Sequence, residues 1–99
     1  MTTDAALLAL AALAHPTRLN AFRLLVRYEP EGLSTGQLVE YSGLTQSTFS
    51  THLAVLAKAG LVQSEKRGRN IIQRADIDAL RGLMLFLAGC GGGKHEQQP

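Results

Sequence analysis

At 99 residues and 45% apolar composition the chain makes one small domain, whose core stays marginal unless oligomerisation adds to it. A single cysteine, Cys90, excludes a disulfide framework within the chain and fits a reducing compartment. The longest apolar run near the start, Ala5 to Ala14, is far too short to span a bilayer, and Met1 is followed by no basic segment of a signal peptide. A cytoplasmic protein with no membrane partner is expected. The net charge is only +2, but it is unevenly placed. Residues 45–74 carry Lys58, Lys66, Arg67, Arg69 and Arg74 against Glu65 alone, a net +4, while the segments on either side are each −1. A cationic zone of this kind is the footprint of a phosphate-backbone binder.

In chain order, Thr3 or Asp4 can cap a first helix that runs to about Ala14. It has no polar face, so its own domain can cover one side and a partner subunit must cover the other. Pro16 suits the first turn of a second helix, which runs to about Tyr28. Leu19, Phe22, Leu25 and Val26 form its inner stripe, and Arg18, Arg23 and Arg27 face outward. Glu29-Pro30-Glu31-Gly32 is a turn. Ser34 opens a third helix with Gln37 completing a capping box; Leu38, Val39 and Tyr41 supply its apolar side, and Gly43 ends it.

The fourth helix follows after three residues, with Thr45 as its cap and Gly60 closing it. Its first two turns hold Gln46, Ser47, Thr48, Ser50 and Thr51, residues that normally disfavour helix interiors. Such a helix presents polar groups to something outside the fold. Two short helices joined by a turn containing Gly are a helix-turn-helix. After Gly60 the period changes to that of two short strands around Arg67-Gly68-Arg69-Asn70, a hairpin with a basic tip. Asp76 can cap a last helix from Ile77 to about Ala88, again too apolar for one covered side. The expected fold is mainly α with a small β-hairpin, a winged helix-turn-helix spanning residues 1–89. Residues 90–99 are read as a Gly-rich, polar, disordered tail.

Leu13-Ala14-His15-Pro16-Thr17-Arg18, Thr45-Gln46-Ser47-Thr48-Phe49-Ser50-Thr51-His52-Leu53 and Ala59-Gly60-Leu61-Val62 closely resemble the ArsR/SmtB family of bacterial repressors, over roughly residues 5–88. The resemblance implies a homodimer paired through the first and last helices, which agrees with their apolar excess. Leu7, Leu8, Leu10, Ala11, Leu80, Leu83, Met84 and Leu87 are the candidate interface residues. It also implies binding to operator DNA. Gln46 can make bidentate hydrogen bonds to adenine, and Ser47, Ser50 and Thr51 can donate or accept at several bases. Thr45, Thr48 and His52 are placed for phosphate oxygens, His52 lying on the DNA face by resemblance. Arg67 and Arg69 would reach the backbone or the adjacent minor groove, with Lys66 and Arg74 adding phosphate contacts.

The resemblance brings metal sensing into question, and here the chain departs from the family. The cysteine positions at the start of the third helix hold Ser34 and Gly36. Asp76 and Asp78 occur on the last helix, but no histidine follows them, and carboxylates alone are poor zinc ligands. Cys90 stands where some arsenic sensors carry a cluster; it is a weak candidate for a redox or metalloid site, alone or with His95. No cofactor is expected. No enzyme constellation can be proposed, since the glycine run Gly91 to Gly93 precedes no helix. The rival from another class is a winged helix used only for protein–protein contact.

Overall fold

The computed structural model describes residues 1–89, in the order α1 (Thr3–Leu13), α2 (Pro16–Arg27), β1 (Leu33–Ser34), α3 (Thr35–Ser42), α4 (Gln46–Lys58), β2 (Val62–Arg67), β3 (Asn70–Ala75) and α5 (Ile77–Leu87). Cys90 and the rest of the tail lie outside the described residues. The architecture is the expected winged helix-turn-helix with one addition. Leu33–Ser34 forms a third strand, giving an antiparallel sheet of order β1-β3-β2 in which Leu33 faces Gln73 and Val62 faces Ala75. Two residues are too few to show an alternating pattern, so the sequence carries no sign of this strand. No helix among the described residues is long and apolar enough to cross a membrane.

The helix starts follow side-chain chemistry. The Ser34 hydroxyl accepts from Gln37 N, and the Gln37 side chain accepts from Ser34 N, so both halves of the capping box form. Thr45 and Asp76 cap α4 and α5 as expected. Gly43 ends α3 at φ 71°, a left-handed cap. At α1 the cap is Thr2, whose hydroxyl accepts from Ala5 N; Thr3 and Asp4 already lie inside the helix, where Asp4 still favours the positive end of its dipole.

The core gathers Phe22 and Leu25 of α2, Leu38 of α3, Phe49 and Leu56 of α4, Leu61, and Leu83 of α5. Several expected faces are rotated. In α1 the small residues Ala6, Ala9 and Ala12 face inward, while Leu7, Leu8 and Leu10 are 58%, 50% and 38% exposed. Alanines at this spacing let α1 approach its neighbours closely, and the larger leucines are left on the outer side. In α2, Leu19 is exposed and Ala21 takes its place against the core. Tyr41 of α3 is exposed. In α5, Leu83 is buried in the chain's own core, and Ile77, Leu80 and Phe86 pack against it, while Met84, Leu85 and Leu87 point outward.

β3 is the central strand, and it holds a buried polar residue. Gln73 is 3% exposed; its amide donates to Thr35 Oγ1 at 3.1 Å and its carbonyl accepts from Ser64 Oγ at 2.7 Å. Both ends are satisfied, so burial of the amide is tolerated, and it joins the start of α3 to both strands of the wing. The turn after α2 comes down on this strand at Gly32, where φ is 73°. A Cβ there would run into the Gln73 carbonyl oxygen and lie 2.8 Å from Arg74 Cγ. Left-handed strain and overpacking then act together, and Gly32→Ala is expected to lower stability by about 2–4 kcal/mol, read as a shift of the urea midpoint.

Candidate nucleic-acid interface

The exposed side of α4 is built by helical spacing. Phe49 and Leu56 turn into the core, which places Ser47, Ser50, Thr51, Ala54 and Lys58 on the opposite face. Gln46, Ser47 and Ser50 are exposed and make no side-chain hydrogen bond among the described residues. Their donors and acceptors are open to an external partner. Thr45 and Thr48 are partly committed: the Thr45 hydroxyl accepts from Thr48 N at 3.3 Å and donates to Thr48 Oγ1 at 2.9 Å. Thr51 donates to the Ser47 carbonyl at 3.2 Å, a common way for a threonine to sit inside a helix. Six polar residues therefore divide into two that stabilise the start of α4, one turned back on it, and a free set of Gln46, Ser47 and Ser50.

The wing carries the cations. Its strands pair from Val62–Ala75 to Arg67–Asn70, and Gly68 with Arg69 forms a two-residue tip with Gly68 at φ 63°. Lys66 and Arg69 are exposed and make no ion pair among the described residues. Arg67 pairs with Glu65 at 3.1 Å, but both side chains are about half exposed, so the pair is weak and readily exchanged for a phosphate.

Two residues predicted to contact DNA are held elsewhere. Arg74 lies at the base of the wing and grips Glu29 with Nη2 at 2.7 Å and Nε at 3.3 Å. The Glu29 hydrogen bond, then its charge, holds the Arg74 proton more tightly than usual. Arg74 thus ties β3 to the turn after α2. His52 is half-buried, with its ring 4.4 Å from that of His15 and its Nδ1 3.2 Å from Arg18 Nη1. Burial, then His15, then Arg18 push its pKa below the ordinary 6.5. Arg18 is also drawn inward instead of facing solvent, because its Nε donates to the Ala12 carbonyl at 2.6 Å. The sequence hint was weak: α1 ends with no basic residue in its last turn, so its terminal carbonyls need a cation from elsewhere. Gln73 was missed altogether, although alternation along β3 puts it on the same side as buried Ala75.

The metal positions implied by the resemblance do not fit an ion. Ser34 and Asp76 are helix caps, Asp76 Oδ2 accepts from Gln63 at 2.7 Å, and Asp78 pairs with Arg81 at 3.2 Å. No group of three or more His, Cys, Asp or Glu is clustered among the described residues.

Comparison with known proteins agrees with this geometry. The profile described as bacterial regulatory protein, arsR family, matches residues 15–64, which take in α2, the helix-turn-helix and the start of the wing. The HTH-type transcriptional regulator YgaV of Escherichia coli (strain K12) is 31% identical over 78 residues, covering 79% of this chain and 77% of that protein. The crystal structure of a possible transcriptional regulator for arsenical resistance superposes with a TM-score of 0.70 at 32% identity, covering 82% of this chain and 81% of that one. A homodimeric winged helix-turn-helix DNA-binding domain from Mycobacterium bovis shares the fold, with a TM-score of 0.71 at 24% identity over 86% of this chain and 77% of its own. The free polar face of α4, the cationic wing beside it and these matches lead to one conclusion: the chain belongs to the arsR family of bacterial regulatory proteins and is a DNA-binding transcriptional regulator.

Proposed function

We propose that the chain is a repressor that binds an inverted-repeat operator as a homodimer, without a metal effector. The observation that carries this reading is the exposed face of α4, with Gln46, Ser47 and Ser50 uncommitted beside the cations Lys66 and Arg69, which are unpaired among the described residues. The N-terminal turns of α4 enter the major groove, Gln46 and Ser50 read base edges, and Thr45 and Thr48 lie near phosphates. Arg69, Lys66 and Arg67 grip the backbone flanking the half-site. The second copy joins through Leu7, Leu8, Leu10 and Ala11 of α1 with Met84 and Leu87 of α5, all exposed on two helices that pack against each other. Leu80 lies at the edge of this surface, and Leu83 is withdrawn from it. Two half-sites one helical turn apart, about 34 Å, then match the two recognition helices.

The two kinds of contact respond differently to substitution. Arg69→Ala is expected to weaken binding to every duplex by a similar factor and to shallow the salt dependence by about one counterion per protomer. Gln46→Ala is expected to leave the salt slope unchanged and relax sequence preference at one position, at a cost of about 1–3 kcal/mol for the preferred base. Fluorescence-anisotropy titrations across a salt series, with a duplex pool varied one position at a time, measure both. Equal and salt-independent losses for the two variants would refute the assignment. Absence of any salt-dependent duplex binding would favour a protein-contact role for the winged helix.

A further inference from the structure

We propose that His52 is a positioning residue: as a neutral imidazole it is clamped by Arg18 and packed against the tilted ring of His15, and this clamp sets the recognition helix α4 against the end of α1. The inference rests on the reading of the chain as a DNA binder, but it withdraws His52 from the DNA-contacting set.

One side chain connects the three helices. Arg18, in the first turn of α2, donates from Nε to the carbonyl of Ala12 in the last turn of α1, at 2.6 Å. From Nη1 it reaches His52 Nδ1 on α4, at 3.2 Å. A guanidinium has donors only, so the nitrogen it meets must carry the lone pair. His52 is therefore the neutral tautomer with its proton on Nε2. His15 completes the cluster: its Nδ1 accepts from Thr17 N at 3.1 Å as the cap of α2, and its ring lies 4.4 Å from that of His52 with 38° between the planes. The Ala12 carbonyl belongs to a helix end with no basic residue of its own, so Arg18 also supplies the cation that this end favours.

The clamp opposes a proton on His52. An imidazolium would turn an N–H toward the Arg18 N–H and place its charge beside a guanidinium and a second imidazole. The groups facing His52 are His15, the cap residue before α2, and Arg18 of α2. Of the other elements packed on α4, α1 adds the Ala12 carbonyl and has Asp4 at its far end, α3 has Glu40 facing solvent, and β2 holds Glu65, Lys66 and Arg67 in the wing. Burial, then His15 and Arg18, lower the His52 pKa below 6.5. The stabilisation is thus complete above the unfolded-state value and is lost as pH falls through the lower folded-state value.

The consequence has a sign. A histidine on a phosphate gains charge as pH falls and tightens DNA binding. A clamped neutral histidine loses its bond to Arg18, lets α4 shift, and weakens specific binding. His52→Gln separates the two, because its carbonyl can accept from Arg18 and does not titrate. The probe is a duplex enriched from a random-sequence pool by the wild-type chain at pH 7.5. His52→Gln is expected to keep its affinity at pH 7.5 within about threefold, and at one pH unit below the His52 pKa read by imidazole NMR the wild type is expected to weaken at least about fivefold relative to it. Both proteins share His15 and His95, so the difference reports His52 together with its contact to His15. Identical pH profiles, or a wild type that tightens relative to the variant at low pH, would overturn the proposal. Imidazole nitrogen NMR of the free chain tests the clamp without DNA: an unprotonated Nδ1 and a pKa below 6.5 are expected. A proton on Nδ1 or a pKa above that value sinks the clamp. If no duplex is enriched, the DNA-binding reading fails, while the imidazole spectrum still decides the clamp.

Discussion

Leu8→Glu is expected to convert the dimer into a folded monomer and to lower affinity for a two-half-site duplex by about 100- to 1,000-fold. The side chain lies on the outer face of α1, 50% exposed, while Ala6, Ala9 and Ala12 hold the inner face. Loss of Leu8 therefore leaves the monomer core untouched, and the far-ultraviolet circular dichroism should be unchanged. In the dimer, each buried leucine contributes roughly 1.5–3 kcal/mol, and twofold symmetry places the substitution in the contact twice. An unpaired carboxylate in an apolar contact adds a desolvation cost of several kcal/mol, so about 10 µM protein should sediment as a monomer. Each recognition helix would then bind alone and lose the high effective concentration of its twin. Wild-type-like sedimentation by this variant would show that the α1 and α5 surface is not where the copies meet.

Phe49→Ala carries the largest effect expected inside the fold, a loss of about 3–5 kcal/mol. Phe49 is 1% exposed and belongs to the core cluster that also holds Phe22, Leu25 and Leu38. It is the first buried residue of α4, set among the exposed Gln46, Ser47 and Ser50. Its removal empties the space between the two helices of the helix-turn-helix. A domain of this size has a total stability of roughly 5–15 kcal/mol, so the variant should melt at least about 15 °C lower. Conservative Phe49→Leu should recover most of the stability, since the cavity is then smaller. A melting point within a few degrees of wild type for Phe49→Ala would mean that α4 is held mainly by its other contacts, the Arg18–His52 clamp included.

The helix-turn-helix was legible because each boundary has its own chemistry. Ser34 with Gln37, Gly43, Thr45 and Asp76 each satisfy a specific backbone need within a few residues, and all four act as the sequence suggested. The hydroxyl-rich start of α4 was equally plain, because residues that disfavour a helix interior must be there for another reason. Faces were harder to read where nearly every residue is apolar. Periodicity cannot choose an inner side for α1, and the choice fell to size: the alanines fit against the neighbouring helices and the leucines did not. In α5 the same ambiguity assigned Leu83 to a partner when it fills the chain's own core.

Charged residues divide in the same way. That residues 45–74 are cationic is a property of the sequence, and so is the basic tip at Arg69. Which cations are free to meet DNA depends on partners distant in the chain: Arg74 is held by Glu29, and Arg18, besides its nearby bond to Ala12, by His52. Local capping and helical periodicity, acting over three or four residues, determined from sequence alone that this chain builds a winged helix with a polar recognition face. Only the tertiary structure decided which side of α1 and α5 is left exposed and that His52 turns inward to Arg18. The first depends on how side chains of different size fit against neighbouring helices, the second on charge brought together across 34 positions, and no local pattern records either.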